Sequence, residues 1–119
     1  MELLIERRKP TERAHGLQTL SRRIEVLREF RANMPIQMVS VFLAVAMKPG
    51  VRQCDLAEIT GLSQSSVSRN IHALGKFDRH GKPGLDLIQQ RSGIAGSKSP
   101  EIRLTKAGKE LAQRLILPR

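Results

Sequence analysis

The sequence predicts a mainly α-helical domain with a small antiparallel β-hairpin, an α+β architecture that has one additional helix at its N-terminus. Three observations support this prediction. Apolar residues recur at helical spacing in five segments of the chain. Two short alternating runs flank a Gly- and Ser-rich stretch at 92–100, which is typical of two paired strands and an exposed tip. The predicted order is four helices, two strands and a final helix.

Residues 1–34 are predicted to be an N-terminal arm followed by an amphipathic helix. Thr11 is the candidate cap of this helix, and Gly16 is expected to interrupt it. Its apolar stripe consists of Leu17, Leu20, Ile24, Leu27 and Phe30. A stripe of this size favours dimerisation through the helix. The alternative is that the helix packs on its own domain, against Leu111 and Leu115.

Residues 35–119 are predicted to form the second unit, which begins with an apolar helix. Pro35 suits the first turn, and Lys48-Pro49-Gly50 ends the helix. Both faces of this helix are apolar. Their residues are Ile36, Val39, Val41, Phe42, Leu43, Val45, Ala46 and Met47. We therefore expect this helix to be buried nearly all round.

The next two predicted helices, 53–60 and 64–75, have the spacing of a helix-turn-helix. Ala57 is small where two helices would cross closely, and Gly61 permits the positive φ of a tight turn. Ser63 is a good N-cap for the second helix. The segment resembles the helix-turn-helix of prokaryotic regulators. An αα-hairpin that binds no ligand is the alternative.

The second of these helices has an inner stripe of Val67, Ile71 and Leu74. At 100° per residue the opposite face carries Ser65, Arg69, His72 and Lys76, with Ser66 on its flank and Gln64 at the N-terminus. No carboxylate is present, so such a face can enter a major groove. Arg69 is suited to guanine and Gln64 to adenine. The alternative for Arg69 is a phosphate contact.

A predicted hairpin and a last helix complete the chain. The first strand begins near Leu85 and ends near Arg91, and Glu101–Leu104 is its partner. Thr105 is the candidate cap of the final helix. The apolar residues expected to face inward from it are Leu111, Leu115 and Ile116.

This winged helix-turn-helix pattern resembles the MarR-type transcriptional regulators from about residue 35 to 117. The family's Leu-Thr-x-x-Gly motif occurs at Leu104, Thr105 and Gly108. The resemblance implies DNA binding, a wing beside the recognition helix, and dimerisation through the terminal helices. This chain departs from the family in its wing tip, in a longer, more basic insertion at 78–84, and in its final helix, which is shorter than the terminal helices through which the family dimerises.

The wing tip contains one charged residue, Lys98, and is flanked by Arg91 and Arg103. Family members carry arginines at this tip. With a single lysine there, we expect phosphate contacts from these three residues rather than insertion of arginine into the minor groove.

Composition favours a double-stranded nucleic acid as the partner. Twenty-one Lys and Arg against 11 Asp and Glu give a net charge of +10 in 119 residues, and the pI is about 11.1. Such a charge indicates a polyanionic partner. Trp and Tyr are absent and Phe occurs three times. Proteins that stack on unpaired bases need aromatic platforms, so binding of single strands is disfavoured.

Other classes of function lack a supporting pattern. The single cysteine, Cys54, excludes an internal disulfide and fits a reducing compartment, so we expect a cytoplasmic protein. Neither Cys54 nor the three histidines have metal-ligand spacing, and no nucleophile or carboxylate pair suggests an enzyme. No metal or cofactor is predicted, and no run of apolar residues is long enough to span a membrane.

The sequence therefore predicts a sequence-specific, double-stranded DNA-binding transcriptional regulator that forms a homodimer. It identifies neither an operator nor a small-molecule effector. The alternatives are a plasmid or phage replication or packaging factor and a winged-helix adaptor that binds protein. An adaptor has no need for a charge of +10.

Overall fold

Residues 9–91 and 100–117 are those that the computed structural model of the chain describes. In these ranges there are five helices and three strands. In chain order they are α1 (Pro10–Arg28), α2 (Ile36–Met47), β1 (Val51–Arg52), α3 (Gln53–Thr60), α4 (Gln64–Leu74), β2 (Ile88–Arg91), β3 (Glu101–Leu104) and α5 (Lys106–Ile116). The predicted architecture, a mainly α domain with an antiparallel wing and an additional N-terminal helix, is confirmed.

The sheet is antiparallel and its strand order is β1-β3-β2. In the hairpin of β2 and β3, hereafter the wing, Ile88 pairs with Leu104 and Gln90 with Ile102. The sequence prediction contained two strands and missed β1. This two-residue strand has no periodicity of its own, and it forms because Val51 pairs with Ile102 of β3.

The hydrophobic core lies between α2, α3, α4, the sheet and α5. Its fully buried side chains come from all of these elements and include Phe42, Leu56, Ile71, Leu74, Leu87, Ile88, Ile102 and Leu111. α2 packs on both helices of the helix-turn-helix and on β3. The central helix thus fixes α4 relative to the wing.

The turn between α3 and α4 has the local geometry that the sequence predicts. Gly61 ends α3 with φ +74°, a left-handed conformation that side chains rarely adopt. Ser63 caps α4, and its hydroxyl accepts a hydrogen bond of 3.1 Å from the backbone N–H of Ser66.

The start of α5 explains the Leu-Thr-x-x-Gly motif. The hydroxyl of Thr105 accepts a hydrogen bond from the N–H of Gly108 (3.0 Å) and donates one to the carbonyl of Asp86 (2.7 Å). A Cβ added at Gly108 would overlap the carbonyl oxygen of Leu87. The motif therefore binds the first turn of α5 to the segment that leads into the wing.

Two expectations about burial are wrong. α2 is not buried all round, because Ile36 is 80% exposed and Met47 76% exposed, and Leu43 on the same stripe is also exposed. On α5, Ile116 is 71% exposed rather than facing inward. Nothing within the described part of this chain covers these side chains.

α1 is continuous through Gly16, and the expected interruption does not occur. The helix begins with Pro10 in its first turn and Lys9 at the N-cap, so Thr11 is not the cap. Its apolar stripe is divided. Leu27 is buried in the core and Phe30 packs against it, whereas Leu17, Leu20 and Ile24 are exposed. No helix within the described ranges is both long and apolar enough to cross a membrane.

Candidate nucleic-acid interface

The outward face of α4 collects most of the residues predicted to contact DNA. Gln64, Ser65, Arg69 and Lys76 are exposed. His72 is half-buried, and its Nδ1 lies 2.8 Å from the carbonyl oxygen of Ser68. The opposite face is held in the core by Val67, Ile71 and Leu74. α4 therefore presents a polar stripe that carries the Arg69 guanidinium and no carboxylate. Lys76 was predicted to lie on this helix face, but α4 ends at Leu74 and Lys76 lies beyond it.

Ser66 does not belong to this face. It is buried, and its hydroxyl donates a hydrogen bond of 2.8 Å to Oε1 of Gln37 on α2. Asn70, one turn further on, is also buried and donates to the carbonyl of Ser66 (2.8 Å). Neither Gln37 nor Asn70 was predicted: the Gln37 contact joins α4 to α2, whereas the Asn70 bond lies within α4. Among the described residues no side-chain oxygen or nitrogen is buried without a partner.

The outer face of the wing carries the second group of predicted residues. Because Gln89 pairs with Arg103 and Arg91 with Glu101, these four residues share one face of the hairpin. Arg91 and Arg103 line a depression together with Lys109 of α5, which the sequence did not suggest. Glu101 lies 3.8 Å from Arg103 and offsets part of this charge. Lys98 lies outside the described residues.

Between α4 and β2 runs a turn of residues 76–84, hereafter the basic turn. Asp78 organises it, since its carboxylate accepts hydrogen bonds from the backbone N–H groups of His80 (2.8 Å) and Lys82 (2.9 Å). These two bonds lower the pKa of Asp78 below its ordinary value. Lys76, Arg79 and Lys82 are exposed around this fixed carboxylate.

On another side of the molecule, α1, α2 and α5 enclose a groove of about 730 Å³, hereafter the apolar groove. Its exposed apolar residues are Leu20, Ile24, Ile36, Leu43, Met47 and Ile116. Two polar contacts hold α1 beside α5. Nε of Arg23 donates to the carbonyl of Leu115 (2.6 Å), and Arg114 forms two hydrogen bonds with Glu29, the shorter 2.7 Å. Arg114 lowers the pKa of Glu29.

Within the described residues, no group of three or more His, Cys, Asp and Glu side chains is arranged to hold a metal ion. Cys54 is exposed near the start of α3.

No model of a known protein family matches this sequence, and no curated protein matches it significantly. Solved structures do match its fold. The crystal structure of MarR aligns with a TM-score of 0.57 at 17% sequence identity, over 90% of this chain and 78% of that one. The chain has the MarR fold. Because 90% of the chain is covered, the MarR fold extends beyond residues 35–117, where the sequence resemblance lies, into α1.

Two further structures share the MarR fold with this chain. The transcriptional regulator Tm0710 from Thermotoga maritima aligns with a TM-score of 0.65 at 18% identity, over 89% of this chain and 68% of that one. BpsR from Bordetella bronchiseptica, whose DNA binding is regulated by 6-hydroxynicotinic acid, aligns with a TM-score of 0.58 at 16% identity, over 87% and 74%.

Proposed function

We propose that this protein is a sequence-specific regulator of transcription that binds double-stranded DNA in the cytoplasm. The observation that carries the proposal is the outward face of α4, which is exposed, cationic and without a carboxylate. In a protein with a net charge of +10, this is the kind of face that can lie against base edges between two rows of phosphates.

In this proposal α4 enters the major groove and the wing binds the adjacent backbone. Arg69 makes a bidentate contact with guanine, and Gln64 pairs with adenine. Ser65, His72 and Lys76 complete the face. Arg91, Arg103 and Lys98 contact phosphates, which position the protein without reading sequence.

We further propose that the protein binds as a homodimer whose seam is the apolar groove. Three helices leave large apolar side chains exposed on this one groove, and an exposed apolar surface of this kind marks an interaction site. A second copy related by a two-fold axis would bury the same residues on both chains. Two copies of α4 would then lie about 34 Å apart, one turn of DNA.

The roles described for two structurally similar proteins support the proposal. Tm0710 is described as a transcriptional regulator and BpsR as a DNA-binding protein. The BpsR description also links DNA binding to a small molecule. We assign no effector to this chain.

The salt dependence of duplex binding tests the proposal. With about six to ten phosphate contacts in a dimer, the logarithm of the binding constant should fall with the logarithm of salt concentration with a slope of about −5 to −9. Titration of a fluorescent duplex at several salt concentrations measures this slope. A slope near zero, or no binding at low salt, would contradict the proposal and favour a protein-binding adaptor.

Selection of bound sites from random duplex DNA tests the sequence specificity. A regulator of the proposed kind enriches one site with two half-sites a turn apart. A DNA-packaging factor without specificity enriches none.

A further inference from the structure

We propose that the basic turn is a third DNA-contacting element, which binds the phosphates along the border of the groove that α4 enters. The inference deepens the proposed function and rests on it, since it assumes that α4 lies in a major groove. It adds a contact surface to those of α4 and the wing.

The basic turn is bonded to the end of α4, so its position relative to that helix is fixed. The residue that follows the turn, Leu85, donates its N–H to the carbonyl of Ala73 in α4 (3.0 Å), and the N–H of Gly84 closes the turn on the carbonyl of Lys76 (2.9 Å). A Cβ at Gly84 would overlap the carbonyl oxygen of Gly75. Glycine at this position lets the turn close directly onto the helix end.

Within the turn the backbone is ordered by its own contacts. The N–H of Asp78 donates to the carbonyl of Lys82 (2.7 Å), and the carboxylate of Asp78 holds the two N–H groups described above. Phe77 and Pro83 pair as an isolated antiparallel bridge. Because the turn is already ordered, placing its cations on phosphates costs less conformational entropy than ordering a flexible loop would.

The length of α4 places the turn at the groove border. Its 11 residues span about 16 Å at 1.5 Å per residue, whereas the major groove is about 12 Å wide. The helix ends at Leu74 with Gly75 as its extended C-cap, and Lys76 is the first residue of the turn. When the half of α4 from Gln64 to Arg69 lies over base edges, the opposite end, which carries the turn, reaches the phosphate backbone.

The charge of the turn suits that position. The exposed cations are Lys76, Arg79 and Lys82, and the one carboxylate, that of Asp78, is engaged with backbone N–H groups. The ammonium of Lys76 lies 6.0 Å from the centre of the Phe77 ring, close enough for a cation–π contact that orients it. Three exposed cations on an ordered turn suit a contact with a row of phosphates.

The experiment compares a double variant of the turn with a matched control. Arg79→Gln combined with Lys82→Gln removes two positive charges and leaves the turn intact, because Asp78 binds the backbone N–H of Lys82 and not its ammonium. The control, Lys9→Gln with Arg22→Gln, removes the same charge from two exposed positions, the N-cap of α1 and α1 itself. Binding is measured on the preferred duplex and on random duplex across a salt series.

The turn variant should lower the magnitude of the salt slope by about 2 for each protomer bound, since each lost phosphate contact removes about one. It should lower the affinity for the preferred duplex and for random duplex by the same factor. The control should change the slope by far less. If the turn variant and the control change the salt slope equally, the basic turn does not contact DNA. The proposed function would not be affected by that result. If the unmodified protein binds no duplex, the proposed function itself fails.

Discussion

Arg69 lies in the middle of the exposed face of α4, where a base contact can be distinguished from a phosphate contact. If its guanidinium is bidentate to guanine, Arg69→Ala removes about 1–3 kcal/mol of discrimination at one base pair. Affinity for the preferred site should therefore fall much more than affinity for random duplex. Competition binding between the two duplexes measures the difference.

Arg91→Ala is the matched control for this prediction, because Arg91 is an exposed arginine on the wing. If Arg91 contacts a phosphate, its replacement by alanine should weaken binding to the preferred and the random duplex by the same factor. Equal losses on both duplexes for Arg69→Ala would reassign Arg69 to the phosphate backbone.

The helical period predicted the orientation of most α4 side chains but not that of Ser66. Gln64, Ser65 and Arg69 are exposed as expected, and so is Lys76 just beyond the helix. Ser66 lies at the margin of the inner stripe, and whether such a residue is buried depends on what faces it. Here Gln37 of α2 accepts its hydroxyl, and a contact across 29 positions leaves no local signal.

At the scale of secondary-structure elements, the attachment of α5 depends on the absence of a side chain at Gly108. Gly108→Ala should destabilise the protein by about 1–3 kcal/mol, because the added methyl group overlaps the carbonyl of Leu87 and the first turn of α5 must shift. Chemical denaturation followed by circular dichroism measures the change in the free energy of unfolding.

Gly16→Ala is the control for this substitution. Gly16 lies inside α1 and nothing approaches the position of an added Cβ. Alanine there should stabilise the protein, by at most about 1 kcal/mol, since it has the higher helix propensity. If both substitutions lowered the free energy of unfolding by similar amounts, the overlap with the carbonyl of Leu87 would not be the cause.

The elements with local signals were predictable from the sequence, and those that depend on distant partners were not. Ser63 and Thr105 cap α4 and α5 where the sequence placed them, and Gly61 has the expected conformation. β1 was missed because only its pairing with β3 defines it. The exposure of Met47 was missed because the apolar residues of a helix do not indicate whether other parts of the same chain cover them.

At the scale of the whole molecule, the apolar groove determines the predicted oligomeric state. Leu20→Lys with Ile24→Lys places two charges in the proposed seam at positions already exposed in one chain. The variant should remain folded but become monomeric, and it should bind the preferred duplex much more weakly, since two linked half-sites are lost. Sedimentation velocity and circular dichroism measure assembly and folding.

Ile59→Lys on α3 is the control, a lysine at an exposed apolar position outside the lining of the groove. It should leave the dimer intact. Leu27 is unsuitable for this purpose, because it is buried and its replacement tests folding instead. An unmodified protein that sediments as a monomer at high concentration would contradict the homodimer.

The contact between Glu29 and Arg114 joins residues 85 positions apart, and this separation has a consequence during translation. At about 5–20 residues per second, the ribosome adds Arg114 roughly 4–17 seconds after Glu29. α1 is thus synthesised well before the helix against which it docks. Throughout that interval Leu27, which the folded chain buries, has no α5 beside it, so we expect the nascent chain to be a better substrate for chaperones than the folded protein.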